Sequence, residues 1–275
     1  MKLVSPARQD ARSSRSPSAT SLALRSIALF YLAALLVVPV AMVFYRAFED
    51  GVAAAWEAVT TPPAQHAFYL TITIALIAVP LNAVFGVLTA WVLARYDFRG
   101  RRVLDVLIDL PFAVSPVIVG LALILVWGRD GWFGSTEVIF STPGMVLATI
   151  FISLPFVVRE VLPVLEEEGT DSEQAAATLG ASGRQVFWRI TLPTIRWGLT
   201  YGVILSTARA IGEFGAVAVV SGKVQGRTET LTLYVEDRFQ SLDLAGAYAA
   251  GVVLALLGVT VLALMTLLQR RHGRI

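Results

Sequence analysis

The chain of 275 residues contains no cysteine and only two histidines, His66 and His272. Without cysteine it can form no disulfide, no thiolate zinc site and no cysteine nucleophile. A hydrolase would need a base beside its nucleophile, yet one histidine lies near the end of an apolar segment and the other in a basic tail. Neither is placed to activate Ser115 or Ser206. These scarcities argue against a hydrolase.

Charge is also scarce. Only 15% of the residues are charged, 56% are hydrophobic, and the mean hydropathy is +0.70. Soluble domains carry about one quarter charged residues, and a chain of this size could not bury so much apolar surface in one aqueous core. Uncharged stretches, each near the ~20 residues that a membrane-crossing helix needs, occupy residues 26–45, 67–94, 110–128, 138–158 and 244–268.

We therefore predict an all-α, polytopic membrane protein with about six transmembrane helices, because these lengths exclude barrel strands. The first apolar run is too long for a signal peptide and is expected to remain as a span. The predicted organisation is a disordered basic tail (1–24), a transmembrane domain (25–269) and a short basic tail (270–275). The spans are expected at 25–46, 67–95, 106–128, 138–163, 197–221 and 244–268.

The basic residues predict the orientation. Most of the 22 lysines and arginines fall in the two tails and in the second and fourth loops. With six spans, those segments share one side of the membrane, and basic loops stay in the cytoplasm. Both termini are therefore expected to be cytoplasmic. The opposite side would carry Arg46, Arg129, Lys223, Arg227 and Arg238.

The loop between the fourth and fifth spans, residues 166–196, is long enough to hold its own structure. Thr170 and Glu173 have capping-box spacing, so a helix is expected to begin there. Small and apolar residues continue it through 174–179, and the glycines in 180–183 break it. A second short helix is expected over 184–190. The loop is thus predicted to be a helix–turn–helix with a small apolar ridge suited to docking on another protein.

The loop also resembles a known signature. Permease subunits of bacterial ABC importers carry the pattern EAA-x3-G-x9-I-x-L-P in this position. Gly180, Ile190, Leu192 and Pro193 match it, while Gln174 stands at the glutamate position with Glu173 one residue earlier. The ATPase-coupling residues that the resemblance implies are Glu173, Gln174, Ala175, Ala176, Gly180, Ile190, Leu192 and Pro193.

The resemblance implies the permease fold of type I ABC importers, with this loop as a coupling helix seated in a groove of an ATPase subunit. This chain has no G-x-x-x-x-G-K-[ST] motif, since Gly222-Lys223 is followed by Val224. No cofactor is therefore expected in the chain itself. ATP and magnesium are expected on a separate ATPase, present in two copies.

Several other segments resemble the sulfate, thiosulfate and molybdate branch of these permeases, and most closely its CysW-type members: residues 110–116, 143–145, 155–160, 179–183 and 208–217. The resemblance implies a sulfate or thiosulfate importer in the bacterial inner membrane. It also implies a CysT-type sister permease in a heterodimer, a periplasmic binding protein for the same anions, and no nucleic acid partner. The alternatives are a molybdate, tungstate or other oxyanion permease, and an ion-coupled secondary transporter. No internal repeat of the kind typical of secondary transporters is visible.

The predicted fifth span holds two ionisable residues, Arg209 and Glu213. They are four residues apart and so share one helix face. Charged residues inside a span are costly unless they pair or face a wet cavity, and are functional candidates. Two interpretations stay open: a structural or gating ion pair, and direct attraction of an anion by the arginine. With Ser115 and Ser206, the pair makes up the predicted translocation path or gate.

Overall fold

The computed structural model describes residues 19–134 and 138–272, and every regular element in them is helical. Five helices are long: α1 (Ala19–Ala47), α3 (Pro62–Arg95), α6 (Thr142–Glu168), α9 (Leu192–Ile211) and α12 (Leu244–His272). Shorter helices lie between them: α2 (Val52–Thr60), α4 (Arg101–Ala113), α5 (Pro116–Trp127), α7 (Asp171–Thr178), α8 (Gly183–Val186), α10 (Gly215–Val220) and α11 (Leu231–Gln240). Residues Phe187–Thr191, between α8 and α9, form a π-helical turn.

The first helix forms a unit of its own up to Tyr45. It begins at Ala19, six residues before the predicted start of the first span, and the rest of the predicted tail lies outside the described residues. Its apolar side chains are exposed, among them Phe30 at 76% and Leu35 at 56%. A helix that is apolar and uncovered over this length suits a lipid environment.

Four described helices are long and apolar enough to cross a membrane: α1, α3, α6 and α12. A fifth candidate is the pair α4 and α5, which bend by 117° at a short break and occupy most of the predicted span 106–128. The break has a local cause, because Pro116 restricts Ser115 to extended backbone and opens α5 without an N–H donor. The third span is therefore broken rather than continuous.

The predicted fifth span, 197–221, is broken as well. Helix α9 ends at Ile211 and α10 begins at Gly215, so the segment around Gly212 and Phe214 is not helical. Helix α9, which contains Arg196 and Arg209, is not among the described helices that are apolar enough to cross a membrane. At the C-terminal end, α12 runs to His272, beyond the predicted end of the sixth span at 268.

Helices α3, α6 and α9 pack closely around Val157, which is fully buried. A Cβ added at Gly86 of α3 would lie 2.6 Å from Val157 Cγ1, and one at Gly202 of α9 would lie 2.8 Å from Val157 Cα. Small residues allow such approach where lipid supplies no hydrophobic drive for helix association. The apolar core around this contact includes Val87, Val158, Val161, Leu165 and Ile195.

Replacing Gly86 with leucine should destabilise the bundle, because a side chain at this position would overlap Val157. Overpacking costs about 1–3 kcal/mol, so we expect a melting temperature several degrees lower for the purified permease in detergent. The matched control is Gly258→Leu on α12, where an added Cβ meets nothing within 4 Å. Equal melting temperatures for the two variants would contradict the close approach of α3 and α6.

Candidate functional site

The segment predicted to contact the ATPase folds as two short helices and a turn at one end of the bundle. Gly169, with φ of +67°, ends α6 and lets α7 begin two residues later. Gly180, with φ of +86°, closes α7, and α8 follows after Ser182. These left-handed conformations favour glycine. The expected helix–turn–helix is present, and its second part runs on through the π-helical turn into α9 without a break.

The capping box lies elsewhere than predicted. Thr170 precedes α7, but its side chain makes no capping bond, and its Oγ1 instead accepts a hydrogen bond of 2.8 Å from Gln174 Nε2. The capping box forms at Ser182 and Gln185 of α8, where each side chain bonds the other's backbone N–H. The Thr170–Glu173 spacing thus located the helix start correctly while giving the wrong partner for Glu173.

Glu173 is held by an ion pair instead. Arg95 Nε lies 3.0 Å from Glu173 Oε2, and Arg95 Nη2 lies 3.2 Å from Glu173 Oε1. Thr191 Oγ1 donates a further hydrogen bond of 2.8 Å to Glu173 Oε1. Sequence reasoning missed Arg95 because the pair joins residues 78 positions apart. An arginine at the end of α3 was the only signal available.

The coupling residues divide between two sides of the segment. Ile190 and Ala176 line a shallow groove between α7 and α8, together with Gly180, and Leu179 stands on its rim with 89% of its surface exposed. Gln174 and Ala175 are exposed, as is Pro193 in the first turn of α9. Leu192 points the other way, against the apolar core of the bundle. The exposed residues leave a shallow groove with both apolar and polar lining open to a partner.

The two helix breaks lie against each other. A Cβ added at Gly215 would lie 2.8 Å from Pro116 Cβ, and one at Gly120 would lie 2.9 Å from the carbonyl oxygen of Ala216. The second half of each broken segment, α5 and α10, is therefore in direct backbone contact. Ser115 is exposed at the break before α5. Irregular backbone at membrane depth is tolerated where protein or a wet cavity surrounds it.

The charged pair lies at the second break. Arg209 Nη1 is 2.6 Å from Glu213 Oε2, with side-chain exposures of 29% and 2%. Glu213 is fixed by two further bonds: its Oε1 accepts from the N–H of Ala216 at 2.9 Å, and its carbonyl oxygen accepts from Thr232 Oγ1 at 2.8 Å. Glu213 thus joins α9, α10 and α11, and the guanidinium is the partly exposed member of the pair.

Ser206 lies apart from the open surface. It is fully buried, and its Oγ is 3.4 Å from Asn82 Nδ2, which also donates to Ser153 Oγ at 2.7 Å. This cluster joins α3, α6 and α9 inside the bundle. Sequence reasoning missed Asn82 and Ser153, although an amide inside a long apolar segment is itself a signal of a buried polar contact.

A second arginine links two further helices. Arg159 of α6 bonds Asp109 of α4 through Nε at 2.7 Å and Nη2 at 2.6 Å, and its Nη1 lies 2.8 Å from Asp105 Oδ1. Asp105 and Asp109 are one helical turn apart, so both face the same guanidinium. The spacing of Asp105 and Asp109 could be read from the sequence. Their partner Arg159 could not be inferred from it, because Arg159 lies 50 residues from Asp109.

Glu229, in the loop before α11, is almost completely buried. Burial, reinforced by Asp237, raises the pKa of its carboxyl group to about 7, and Arg238 opposes the shift. Two residues further on, the N–H of Leu231 donates a hydrogen bond of 2.8 Å to Thr71 Oγ1 of α3. This loop is therefore fastened to the bundle close to the break that holds Glu213.

Residues 82–274 match the family model described as the inner membrane component of binding-protein-dependent transport systems. The chain belongs to this family. It is 52% identical over 254 residues to the sulfate transport system permease protein CysW of Synechocystis sp., covering 90% of this chain and 92% of that protein. It is 40% identical over 250 residues to the sulfate transport system permease protein CysT of Synechococcus elongatus, covering 89% and 90%.

A solved structure shares the fold. A bacterial ABC transporter that imports the acidic polysaccharide alginate contains a chain that matches with a TM-score of 0.77 at 16% identity, covering 92% of this chain and 96% of that one. At this identity the likeness concerns the fold alone. Together with the family match, it confirms the predicted all-helical permease fold of type I ABC importers.

A bulky residue at Gly180 should abolish transport without preventing folding. Gly180 and Gly169 both have left-handed backbone, and an added Cβ meets nothing within 4 Å at either. A side chain strains the backbone at both positions, and more so at Gly169, whose φ of +67° and ψ of −155° lie in a region that essentially only glycine occupies. Both variants should insert in the membrane, and only Gly180→Trp should lose transport, because its side chain projects beside the exposed groove. Normal uptake by that variant would contradict the role of the groove.

Removing Arg209 should weaken both stability and transport, because Glu213 would stay buried without its cation. Truncating one partner of a buried pair costs about 2–5 kcal/mol, and partial exposure of Arg209 favours the lower end of that range. We expect Arg209→Ala to melt at lower temperature and to take up less sulfate. Unchanged uptake and unchanged basal ATP hydrolysis would remove the pair from the mechanism.

The double variant Arg209→Met, Glu213→Gln separates the two interpretations of the pair. It removes both charges and should recover much of the lost stability. If uptake recovers in parallel, the pair is structural. If uptake stays low in a stable protein, the guanidinium itself acts on the anion or on the gate.

Proposed function

We propose that this chain is the pore-forming permease subunit of an ATP-driven sulfate or thiosulfate importer. The observation that carries the proposal is the folded segment from α7 to the start of α9. It carries Gly180, Ile190, Leu192 and Pro193 at the spacing of the signature, and Gly180 and Ile190 line its exposed groove. The relatives named as sulfate transport permeases supply the substrate. In this proposal, ATP is hydrolysed by another subunit, and this chain lines the path through which the anion crosses the membrane.

The groove on the coupling segment supports docking to an ATPase. Its lining combines apolar residues, among them Leu179 and Ile190, with the polar side chains of Gln185 and Arg189, and Leu179 is almost fully exposed. Exposed apolar side chains flanked by polar ones are suited to a cleft in a partner protein. We infer two ATPase copies that bind ATP and magnesium, with this segment seated on one of them.

The exposed faces of α4 and α5 support a second permease. Val117, Ile118, Leu121 and Leu125 are between 44% and 73% exposed on one short helix. Apolar residues are expected to be covered by lipid or by protein in a membrane. We infer that a CysT-type sister permease lies across the path from this chain, since the chain is also related to a permease of that name.

We infer the orientation from the basic residues. The concentration of arginine in the coupling segment and near both termini supports a cytoplasmic location for them. The opposite face, which includes α11 and the loops around Arg129 and Lys223, would then receive a periplasmic binding protein loaded with sulfate or thiosulfate. The family description, a binding-protein-dependent system, supports such a partner.

Sulfate, thiosulfate and molybdate are all dianions, so the partly exposed Arg209 would attract each of them. Selection among them is assigned to the binding protein, which explains how one permease architecture serves several oxyanions. The relatives favour sulfate. Molybdate or tungstate transport is the alternative within the family.

Reconstituted vesicles test the proposal directly. The permease, its sister, the ATPase and the loaded binding protein should accumulate radiolabelled sulfate only when ATP is supplied. Unlabelled thiosulfate should compete, whereas molybdate should compete weakly. Uptake driven by an ion gradient without ATP would contradict the proposal and favour a secondary transporter, while strong competition by molybdate alone would reassign the substrate.

A further inference from the structure

Helix α7 is short and is not held by apolar packing. None of its residues, Asp171–Thr178, is buried. Its exposed face is the one that the proposed ATPase would push. A helix without a buried face can transmit force to the bundle only through its chain connections and its polar contacts.

A polar cluster of Arg95, Glu173 and Thr191 connects α7 to the helix bundle. The guanidinium of Arg95 bonds both oxygens of Glu173, and its Nη1 donates to the carbonyl oxygen of Leu165 at 2.9 Å. Glu173 also accepts from Thr191. One carboxylate and one guanidinium thus join α3, α6, α7 and the π-helical turn.

The pair is shielded from solvent. The side chains of Arg95 and Glu173 are 9% and 18% exposed, whereas those of the neighbouring pair Arg101 and Glu166 are 41% and 52% exposed. Exposed pairs contribute little because solvent screens them. A shielded pair with two parallel hydrogen bonds is both stronger and more restricted in geometry.

The π-helical turn brings the third member into place. It ends at Thr191, which is 3% exposed and immediately precedes α9. Widened turns of this kind occur often at functional sites. Because Thr191 stands at the head of α9, its bond to Glu173 attaches α7 to that helix as well. The cluster therefore reaches each of the three helices that pack around Val157.

We propose that Arg95, Glu173 and Thr191 form a rigid joint that makes the three packed helices follow any displacement of α7. The proposal rests on the proposed function, since it assigns the step that carries motion from the ATPase to the path. Arg95 and Thr191 are positioning residues: they contact neither nucleotide nor anion. Gln174, at the signature's glutamate position, is exposed and donates a local hydrogen bond to Thr170, whereas Glu173 makes the contacts with the bundle.

The test uses the complete reconstituted importer with Arg95→Ala, and Arg101→Ala as the matched control from the same surface. We expect Arg95→Ala to retain the ATPase on purification and to keep basal hydrolysis. Sulfate transported per ATP should fall roughly tenfold or more, within the usual range of coupling effects. Arg101→Ala should keep the wild-type ratio. The wild-type complex must transport sulfate first; if it does not, the proposed function fails independently.

Two further variants keep the result interpretable. Thr191→Val removes one hydrogen bond with little change of shape and should lower the ratio by a smaller factor. The exchange Arg95→Glu, Glu173→Arg should restore part of the coupling that each single change removes. A wild-type ratio in Arg95→Ala would overturn the proposal. A loss of bound ATPase in proportion to transport would also overturn it, by showing a docking defect.

A distance measurement gives a readout independent of transport. Since the chain has no cysteine, single cysteines can be introduced for spin labels at Ala177 on α7 and Leu88 on α3, both exposed. The joint predicts a narrow distance distribution in the assembled wild type and a broad one in Arg95→Ala. Equally narrow distributions would contradict it.

Discussion

The close contact of α3, α6 and α9 around Val157 is the constraint on which the other features depend. Lipid gives helices no hydrophobic reason to associate, so backbone approach at glycine must supply the packing. The contact makes three helices one body. One end of that body carries Arg95, which pairs with Glu173 of α7, and Arg209 lies near the other end of α9, paired with Glu213 just beyond it. In the proposed joint, motion entering at the first pair would reach Arg209 through these packed helices.

The broken helices obey a second constraint. Backbone groups freed at a break need partners in a membrane, and the breaks near Ser115 and Gly212 lie where α5 and α10 contact each other. The side chain of Glu213 accepts a hydrogen bond from a backbone N–H at the start of α10, and its carbonyl oxygen accepts one from Thr232. The buried carboxylate of Glu213 therefore contacts Arg209 near the end of α9 and a backbone N–H in the first turn of α10. The charged pair and the irregular backbone are parts of one arrangement.

Local signals in the sequence predicted the elements better than the contacts. Apolar runs predicted the long helices, and Gly180 with the downstream Leu-Pro pair predicted the coupling segment, because both depend on neighbouring residues alone. Broken helices were expected from the glycines and prolines, but the sharp bend of 117° before α5 was not, since a proline beside a span fits a kink as well. Arg95 and Asn82 were missed because their partners are distant in the chain. Ser206 was placed on the path although it is buried against Asn82.

The buried amide of Asn82 has a consequence for how such a bundle can move. Smooth apolar surfaces with small residues would permit one helix to slide or rotate past another at little cost. An amide held between hydroxyl groups on two other helices stabilises a single register. Sliding by one turn would separate the amide nitrogen from both hydroxyl groups. The three helices are thus held in one register, so a motion that keeps this contact moves them together as a unit.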